Sequence, residues 1–371
     1  MARDCRRASA GGVIYLDYQA TTPLAPEAFD AMLPWLRDSH ANPHSAHGPG
    51  RAARAAVEVS RDQVAALLPA GGTVAFTSGA TEALNWAIKS VGEPIVTIAT
   101  EHAAVLDTTA AVGSATILPV GCDGLVDMDA ARGAIGPGIK LVAAMLVNNE
   151  IGVIQPVAEL AKLAREAGAL FLCDAVQGYG RVTIPDGCDL IALSAHKVYG
   201  PKGIGALWIR DGVDLLPLLH GGGQEAAGRS GTLSPALCVG FGAAAALMQS
   251  RGAEDAEKVE RLWNIALAVL DDGWIVNGST EHRYRGNLNV RCGGLEVARL
   301  MSDLRDIAFS AGSACASGSG RPSHVLRAIG LSDAEARSSI RIGFGRYTTE
   351  PELIDALTRI DAAARAQRVA A

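Results

Sequence analysis

The stretch Leu193-Ser-Ala-His-Lys197-Val-Tyr-Gly-Pro-Lys-Gly-Ile-Gly-Ala-Leu207 contains the strongest local signal in the chain. An apolar strand ends there in polar side chains, a Gly/Pro-rich turn follows, and a second apolar strand begins. Lys197 at such a strand end can form an imine with an aldehyde, and Ser194 and His196 can bind a phosphate beside it. The alternative is a surface lysine near a turn, and Lys202 shows that such lysines occur here.

The same pattern of short apolar runs followed by helical stretches extends outward from this segment, from about Val13 to Gly242. Residues 157–167, for example, carry apolar side chains at helical spacing. Alternating strands and helices predict an α/β fold with a mostly parallel sheet covered on both faces, whose ligands bind beyond the carboxyl ends of the strands. The predicted buried strands are residues 73–76, 95–98, 116–120, 141–147, 169–173 and 190–193.

Polar residues follow several of these strand ends. After residues 73–76 come Gly79, Ala80 and Thr81, small residues at a strand-to-helix turn that can bind a phosphate. The alternative is that these residues form an ordinary helix N-cap. Asp174 ends another apolar strand, with Gln177 three residues on. A carboxylate there is costly to bury unless it is paired, for example with a protonated ring nitrogen, and the alternative is again a helix cap.

Four further residues are candidates on weaker local grounds. His102 and Asn148 follow strands, where an imidazole can lie on a bound ring and an amide can bind a substrate; a structural histidine and a turn residue are the alternatives. Arg341 alternates with apolar residues in 339–344, a half-buried strand that presents either a carboxylate-binding guanidinium or a solvated face. Cys315, among small polar residues in 310–320, suits a mobile, accessible thiol, or else lies in a plain linker.

Composition excludes several classes of protein. The chain has 371 residues, of which 49% are apolar and 19% charged. Its net charge of −6 does not favour binding to nucleic acid or to acidic membranes. No apolar run reaches the roughly 18 residues of a membrane span, and no secretory signal is recognisable. The seven cysteines are scattered without metal-ligand spacing, so we expect no metal site and reduced thiols in a cytoplasmic protein.

The chain is long enough for two domains. We predict a large domain over residues 13–250 and a small α/β domain over 251–371, the latter carrying the Cys315 loop, with residues 1–12 nearby. The boundary is placed where a helical stretch gives way to a charged segment, residues 251–261.

Taken together, these segments resemble the cysteine desulfurases of the NifS/IscS type, within the class-V aminotransferase family. The resemblance covers nearly the whole chain and depends on the order of the motifs rather than on any single one. Its motifs include Tyr15-Leu-Asp-Tyr-Gln-Ala-Thr-Thr-Pro23, Asn42-Pro43, His220-Gly-Gly-Gly-Gln-Glu225, Arg229-Ser-Gly-Thr232 and Ser339-Ile-Arg341.

The resemblance implies the fold of pyridoxal 5′-phosphate (PLP) enzymes of type I, like aspartate aminotransferase, with a seven-stranded, mostly parallel sheet in the large domain. It also implies a homodimer with active sites at the subunit interface. Lys197 would carry the cofactor, His102 would stack on its ring, Asp174 and Gln177 would contact its ring nitrogen and phenolic oxygen, and Asn148 and Arg341 would orient the substrate carboxylate. Phosphate would be held by Gly79, Ala80, Thr81, Ser194, His196 and, from the other subunit, Thr232.

By the same resemblance, Cys315 removes sulfur from L-cysteine as an enzyme persulfide, and L-alanine is released. The sulfur would pass to an acceptor protein, either an iron–sulfur scaffold or another sulfurtransferase of thio-cofactor synthesis. Three departures from the family pattern are Ala195 in place of a common Gly, a short region between His102 and Asn148, and a plain C-terminal helix, which leaves the acceptor open. The alternatives are a selenocysteine lyase or aminotransferase of the same fold, and a non-catalytic scaffold for sulfur-transfer partners.

Overall fold

The computed structural model describes residues 12–226, 228–270, 272–312 and 322–369. A single 3-10 turn, Ala195–Lys197, follows the strand that ends at Ser194. The helices and strands, in chain order, are β1 (Ile14–Tyr15), α1 (Pro26–Arg37), α2 (Gly48–Ala65), β2 (Gly72–Thr77), α3 (Ala80–Val91), β3 (Ile95–Ile98), α4 (Ala103–Val112), β4 (Ala115–Leu118), α5 (Met128–Ala134), β5 (Leu141–Met145), α6 (Val157–Ala167), β6 (Leu170–Asp174), β7 (Leu190–Ser194), β8 (Gly205–Arg210), α7 (Pro235–Val269), β9 (Ile275–Val276), β10 (Asn287–Arg291), α8 (Val297–Asp303), β11 (Ile307–Ala308), β12 (Ser310–Ala311), α9 (His324–Ala328), α10 (Asp333–Arg337), β13 (Ser339–Gly343) and α11 (Glu350–Val369).

A seven-stranded sheet in the order β2-β8-β7-β6-β5-β3-β4 forms the centre of the larger region. Strand β8 is antiparallel to both of its neighbours, and the other pairs are parallel. The prediction of a mostly parallel sheet is therefore confirmed. The apolar runs became strands because helices cover both faces, so their side chains are buried on either side.

Strand β4 differs from its predicted form. It was expected to be buried, yet Thr116 and Ile117 are exposed, the latter to 47%. The reason is its position at the edge of the sheet, beyond β3, where no strand of the described residues pairs with its other flank. A short edge strand with a partly polar face is a common way to keep a sheet from pairing with other chains.

Parallel strands bring their carboxyl ends to one edge of the sheet. Strands β2, β6 and β7 end at Thr77, Asp174 and Ser194, and β3 ends four residues before His102. Because β8 is antiparallel to both β2 and β7, β2 runs parallel to β7 and its end joins the same edge. The polar residues that follow these strands thus share one edge of the sheet.

A four-stranded antiparallel sheet, β12-β13-β10-β9, forms the smaller region, and β1 pairs separately with β11. Helix α7 is continuous through residue 250, where the domain boundary was predicted. Its Met248 packs in the core of the large sheet and its Val259 in the core of the small one, which also contains Leu16 from the N-terminal side of the chain. Residues 1–11, part of the predicted N-terminal segment, lie outside the described residues.

Strand β13 was predicted to be half-buried, and this was wrong. Ile340, Ile342 and Phe344 lie in the small core, but Arg341 on the opposite face is also buried, at 1% exposure. The face that carries Arg341 packs toward the larger region instead of facing water. Across the described parts of the chain, no helix is long and apolar enough to cross a membrane.

Gly205 at the start of β8 offers a test of this packing. A Cβ at this position would lie 2.4 Å from the Leu193 carbonyl oxygen and 2.7 Å from the Gly79 Cα, both backbone atoms. We expect Gly205→Ala to lower the free energy of unfolding by about 1–3 kcal/mol, measured by urea denaturation. Gly133→Ala, in helix α5 with no atom near the added methyl, is the control and should not destabilise the protein. Equal stability of the Gly205 and Gly133 variants would contradict this packing.

Candidate active site

A cavity of about 570 Å³ opens at the carboxyl edge of the large sheet. It lies where the sequence placed the ligand site, and most of the predicted residues line it. The predicted residues on its wall are Gly79, Ala80, Thr81, His102, Asp174, Gln177, Ser194, His196, Lys197 and Arg341.

Three predicted residues are not on that wall. Asn148 is fully buried behind it: its amide nitrogen donates to the Thr100 carbonyl at 2.8 Å, and its oxygen accepts from the Glu150 and Ile151 amides. Its neighbour Asn149 lines the cavity instead. Thr232 is exposed, in the loop before α7, and Cys315 lies outside the described residues.

Lys197 stands just beyond the end of β7, in the 3-10 turn. Its Nζ donates to the carbonyl oxygens of Gln19 at 2.5 Å and Ala20 at 2.8 Å. These carbonyls belong to an N-terminal segment, residues 17–22, which contains a turn at residues 18–20 and supplies part of the cavity wall. These two hydrogen bonds hold the amine at the cavity wall, and their acceptors are uncharged carbonyl oxygens.

His196 is held by the same segment. Its Nδ1 lies 3.1 Å from the Thr21 hydroxyl oxygen, and its carbonyl accepts from the Thr22 amide and hydroxyl. Burial, and then the charges of Lys197 and Lys202, lowers the pKa of His196 to about 4. A neutral imidazole therefore faces the cavity at neutral pH, able to donate one hydrogen bond.

Asp174 lies at the end of β6 with one oxygen accepting from the Val176 amide at 3.0 Å. Burial raises its pKa, while the charges of His102 and Lys197 and the Val176 hydrogen bond act in the opposite direction. His102 caps helix α4: its Nδ1 accepts from the Ala104 amide, which leaves Nε2 as the ring nitrogen that can carry a proton.

Glu101 was not recognised from the sequence, although it lies directly behind this group. Its carboxylate is fully buried and accepts from the backbone amides of Met145 and His102. Burial, and then the neighbouring Asp174, raises its pKa well above the ordinary value. Two carboxyl groups this close in a buried setting favour protonation of one of them, and the more buried Glu101 is the better candidate.

Helix α3 begins at the cavity, and no side chain in the described part of the chain caps its first amides. Its cap residue is Gly79, and Ser78, Gly79, Ala80 and Thr81 all line the wall. Free amides and the helix dipole make this end a binding site for an anion. Ser194 and His196 stand on the same wall, so donors reach this point from two strand ends.

Arg341 reaches the cavity from the smaller region. Its guanidinium donates to the Asp17 carboxylate at 2.7 Å, the Asn149 carbonyl at 3.1 Å and the Ser310 hydroxyl at 3.3 Å. Its Nε has no hydrogen-bond partner among the described residues. A buried guanidinium with an unused donor beside a cavity is suited to a carboxylate ligand.

The comparisons agree with this architecture. The family model for class-V aminotransferases matches residues 14–357. The chain is 43% identical over 361 residues to a protein named cysteine desulfurase IscS from Rickettsia bellii, covering 92% of this chain and 88% of that protein.

Solved structures give the same result. A NifS-like protein from Rickettsia africae superposes with a TM-score of 0.88 at 29% identity, covering 94% of this chain and 99% of the other. A structure described as SspA in complex with cysteine has a TM-score of 0.80 at 36% identity, covering 91% and 100%. The fold is the type I fold of PLP-dependent enzymes. Within that class, the chain belongs to the class-V aminotransferase family.

Several wall residues escaped the sequence reasoning. Asn149 was passed over for Asn148, and Ser78, Gln19 and Lys202 were not named as site residues, although all four line the cavity. Gln19 was quoted only as part of a resembling motif. The usable signal for Asn149 is local: an Asn at the start of a turn tends to use its oxygen to accept from the backbone amides two and three residues later, as Asn148 does, and such a side chain cannot also face a ligand.

The low pKa of His196 has a consequence for stability. Between pH 4 and the ordinary histidine pKa of about 6.5, the unfolded chain binds a proton that the folded chain does not, so stability falls as pH falls. We expect His196→Gln to lose less of its melting temperature than wild type between pH 7 and pH 5, by calorimetry. His40→Gln, at an exposed position, should follow wild type. An equal or larger loss in His196→Gln would show that His196 is protonated in the folded protein.

Proposed function

We propose that this protein is a cysteine desulfurase that uses PLP, removes sulfur from L-cysteine as a persulfide on Cys315, and releases L-alanine. The observation that carries the proposal is one cavity in which Lys197, Asp174 and His102 converge with an uncapped helix start. The family of the chain depends on PLP, and relatives at about 42% identity are named for this activity.

The residues of the cavity fit the cofactor. The N-terminus of α3 with Thr81, Ser194 and His196 would hold the phosphate, and Asp174 would face the ring nitrogen. The Gln177 side-chain oxygen is buried with no partner in the described structure, while its nitrogen donates to the Gln19 carbonyl at 2.9 Å. The second hydrogen of that amide nitrogen is the donor that would be available to the phenolic oxygen of the cofactor. His102 would lie on the ring.

The cofactor would supply an electron sink for the substrate Cα carbanion. Lys197 would hold the cofactor through its Nζ, and the same amine would be the base placed to take the proton from the substrate Cα. Asp174 would hold a proton on the ring nitrogen of the cofactor. The protein therefore contributes position and protonation state.

Arg341 would bind the substrate carboxylate. We assign the accompanying amide to Asn149 rather than Asn148, because the Asn148 side chain is committed to Thr100, Glu150 and Ile151 behind the wall. The SspA structure is described as a complex with cysteine, which supports an amino-acid substrate of this kind for a protein of the same fold.

The described residues on both sides of the Cys315 segment are anchored near Arg341. Ser310 on the N-terminal side donates to the Asp17 carboxylate at 2.9 Å and is paired in register with Arg341. Ser323 on the C-terminal side donates to the buried Glu150, and His324 donates to the Glu101 carbonyl at 2.8 Å. These anchors support Cys315 as the thiol that attacks the substrate sulfur: its sulfur gains one S–S bond, and the substrate C–S electron pair remains on the carbon that becomes alanine.

The activity named for the relatives does not favour an aminotransferase, a selenocysteine lyase or a silent scaffold. We further propose a cytoplasmic homodimer in which the exposed Thr232 reaches the phosphate of the neighbouring subunit. The persulfide sulfur would pass to an acceptor protein, an iron–sulfur scaffold or another sulfurtransferase. Location and acceptor rest on the cysteine pattern and on the resemblance.

Attachment of the cofactor to Lys197 is testable by borohydride. Reduction of the protein with PLP bound should leave the pyridoxyl label on the peptide that contains Lys197, identified by mass spectrometry. Lys197→Ala should lose the label. Lys202→Ala, which removes the other lysine on the cavity wall, should keep it. Active protein that carries no label at Lys197 would refute the proposal.

The role of Cys315 is testable by substitution. Cys315→Ala should retain the cofactor absorbance but lose alanine and sulfide release from cysteine by on the order of 100-fold or more, because the acceptor of the substrate sulfur is gone. Cys122→Ala, at an exposed cysteine, should behave as wild type. Mass spectrometry after incubation with cysteine should find one added sulfur on Cys315. Normal turnover by Cys315→Ala would exclude the persulfide route.

A further inference from the structure

Glu82, in the first turn of α3, makes contacts in two directions. Its carboxylate accepts from the Ser78 amide at 2.7 Å, which fixes the turn that leads into the helix. The same carboxylate binds the Arg229 guanidinium, with Nε at 2.8 Å and a terminal nitrogen at 3.2 Å. Both side chains of the pair are largely buried, at 12% and 13% exposure.

A carboxylate at this position creates an electrostatic conflict. It is favourable at a helix N-terminus, but the same helix end is where the proposed function places a phosphate dianion, and Ser78 lies on the cavity wall. Like charges in a partly buried setting repel strongly, and the Glu82 carboxylate is separated from that wall by one hydrogen bond, to the Ser78 amide. Burial raises the pKa of Glu82, but hydrogen bonds from Arg229 and Ser78 outweigh it, so the net pKa is lowered and the group is ionised at neutral pH. Arg229 supplies the charge that cancels it.

Arg229 also belongs to the loop that carries Thr232. That loop is fixed at a second point by Glu225, which is 3% exposed and binds Arg61 of α2 at 2.6 Å. Within it, Gln224 accepts from the Gly231 amide at 2.7 Å, and the exposed Thr232 follows. The Glu82–Arg229 pair is therefore the direct link between the start of α3 and this loop.

We propose that Glu82 and Arg229 form a positioning pair for the cofactor phosphate: Glu82 orders the Ser78–Gly79 turn, and Arg229 neutralises Glu82 so that a dianion can bind in front of it. The inference rests on the proposed function and adds two residues to it that do not touch the cofactor. The pair also connects the phosphate site of one subunit to the loop that carries Thr232 toward the other. Substitutions in the pair should therefore change the affinity for PLP, which has the phosphate, more than the affinity for pyridoxal, which lacks it. The size of the change should depend on the net charge that remains on the pair.

The experiment measures cofactor binding to the apoenzyme by absorbance titration, with PLP and with pyridoxal, which lacks the phosphate. Arg229→Gln leaves Glu82 unneutralised and should weaken PLP binding about tenfold, with pyridoxal changed much less. Glu82→Gln retains an acceptor for Ser78 and should change PLP affinity by less than about threefold. The double variant, neutral again, should return to within about threefold of wild type.

Two further variants keep the test independent of folding defects. Arg229→Lys retains the charge and should retain most of the PLP affinity. If Arg229→Gln is poorly folded, Arg229→Lys is compared with wild type in its place. Arg359→Gln, which breaks the more exposed pair with Asp306, controls for the loss of any arginine ion pair and should leave both affinities unchanged. Inorganic phosphate should raise the melting temperature of the wild-type apoenzyme more than that of Arg229→Gln.

The outcomes separate the two levels of the argument. If wild type binds PLP on Lys197 but Arg229→Gln weakens PLP and pyridoxal equally, the pair is merely structural and the inference fails alone. Additive losses in the double variant would overturn it in the same way. If the wild-type apoenzyme binds no PLP at all, the proposed function fails, and the inference fails with it.

Discussion

The N-terminal segment of residues 17–22, with its turn at residues 18–20, is the constraint on which the site depends. Its carbonyls at Gln19 and Ala20 hold the Lys197 amine, and its hydroxyl at Thr22 accepts from the Tyr199 amide. At its start, Asp17 pairs with Arg341, which reaches in from the other sheet. One short segment thus contacts both the amine and the guanidinium, the two groups that the proposed function assigns to the cofactor and to the substrate carboxylate. Because these groups are already held in place, the entropy cost of ordering them is not incurred again at each turnover.

Buried charge around the cavity is balanced locally. Arg341 forms an ion pair with Asp17, Glu82 with Arg229, and Glu225 with Arg61. Glu101 and Glu150 are exceptions among the described residues, because burial raises the pKa of both and each is satisfied by hydrogen-bond donors: backbone amides for Glu101 and the Ser323 hydroxyl for Glu150. Removing one partner of such a buried pair is costly, because it leaves the other charge buried and uncompensated.

Much of this could be predicted from sequence because it depends on local patterns. The bounds of β3 and α6 match the predicted runs, and the strand-end logic brought His102, Asp174 and Lys197 to one edge. The rest depends on long-range order. The exposure of Ile117 follows from strand order, the burial of Arg341 from contact between the two sheets, and the choice of Asn149 over Asn148 from one turn. Tyr199 adopts a left-handed φ of 66°, which no sequence rule assigns to a tyrosine.

Helix α7 gives the molecule a mechanical property that its two sheets alone would not have. Its 35 residues form one continuous helix of roughly 50 Å that packs in the core of the large sheet and in that of the small one. Arg346 binds Asp255 of this helix at 2.6 Å. A flexible linker would let the two parts swing apart freely. Because α7 packs in both cores, it connects the sheet that carries Arg341 to the one that carries Lys197 through continuous helix, which resists bending more than a flexible linker does.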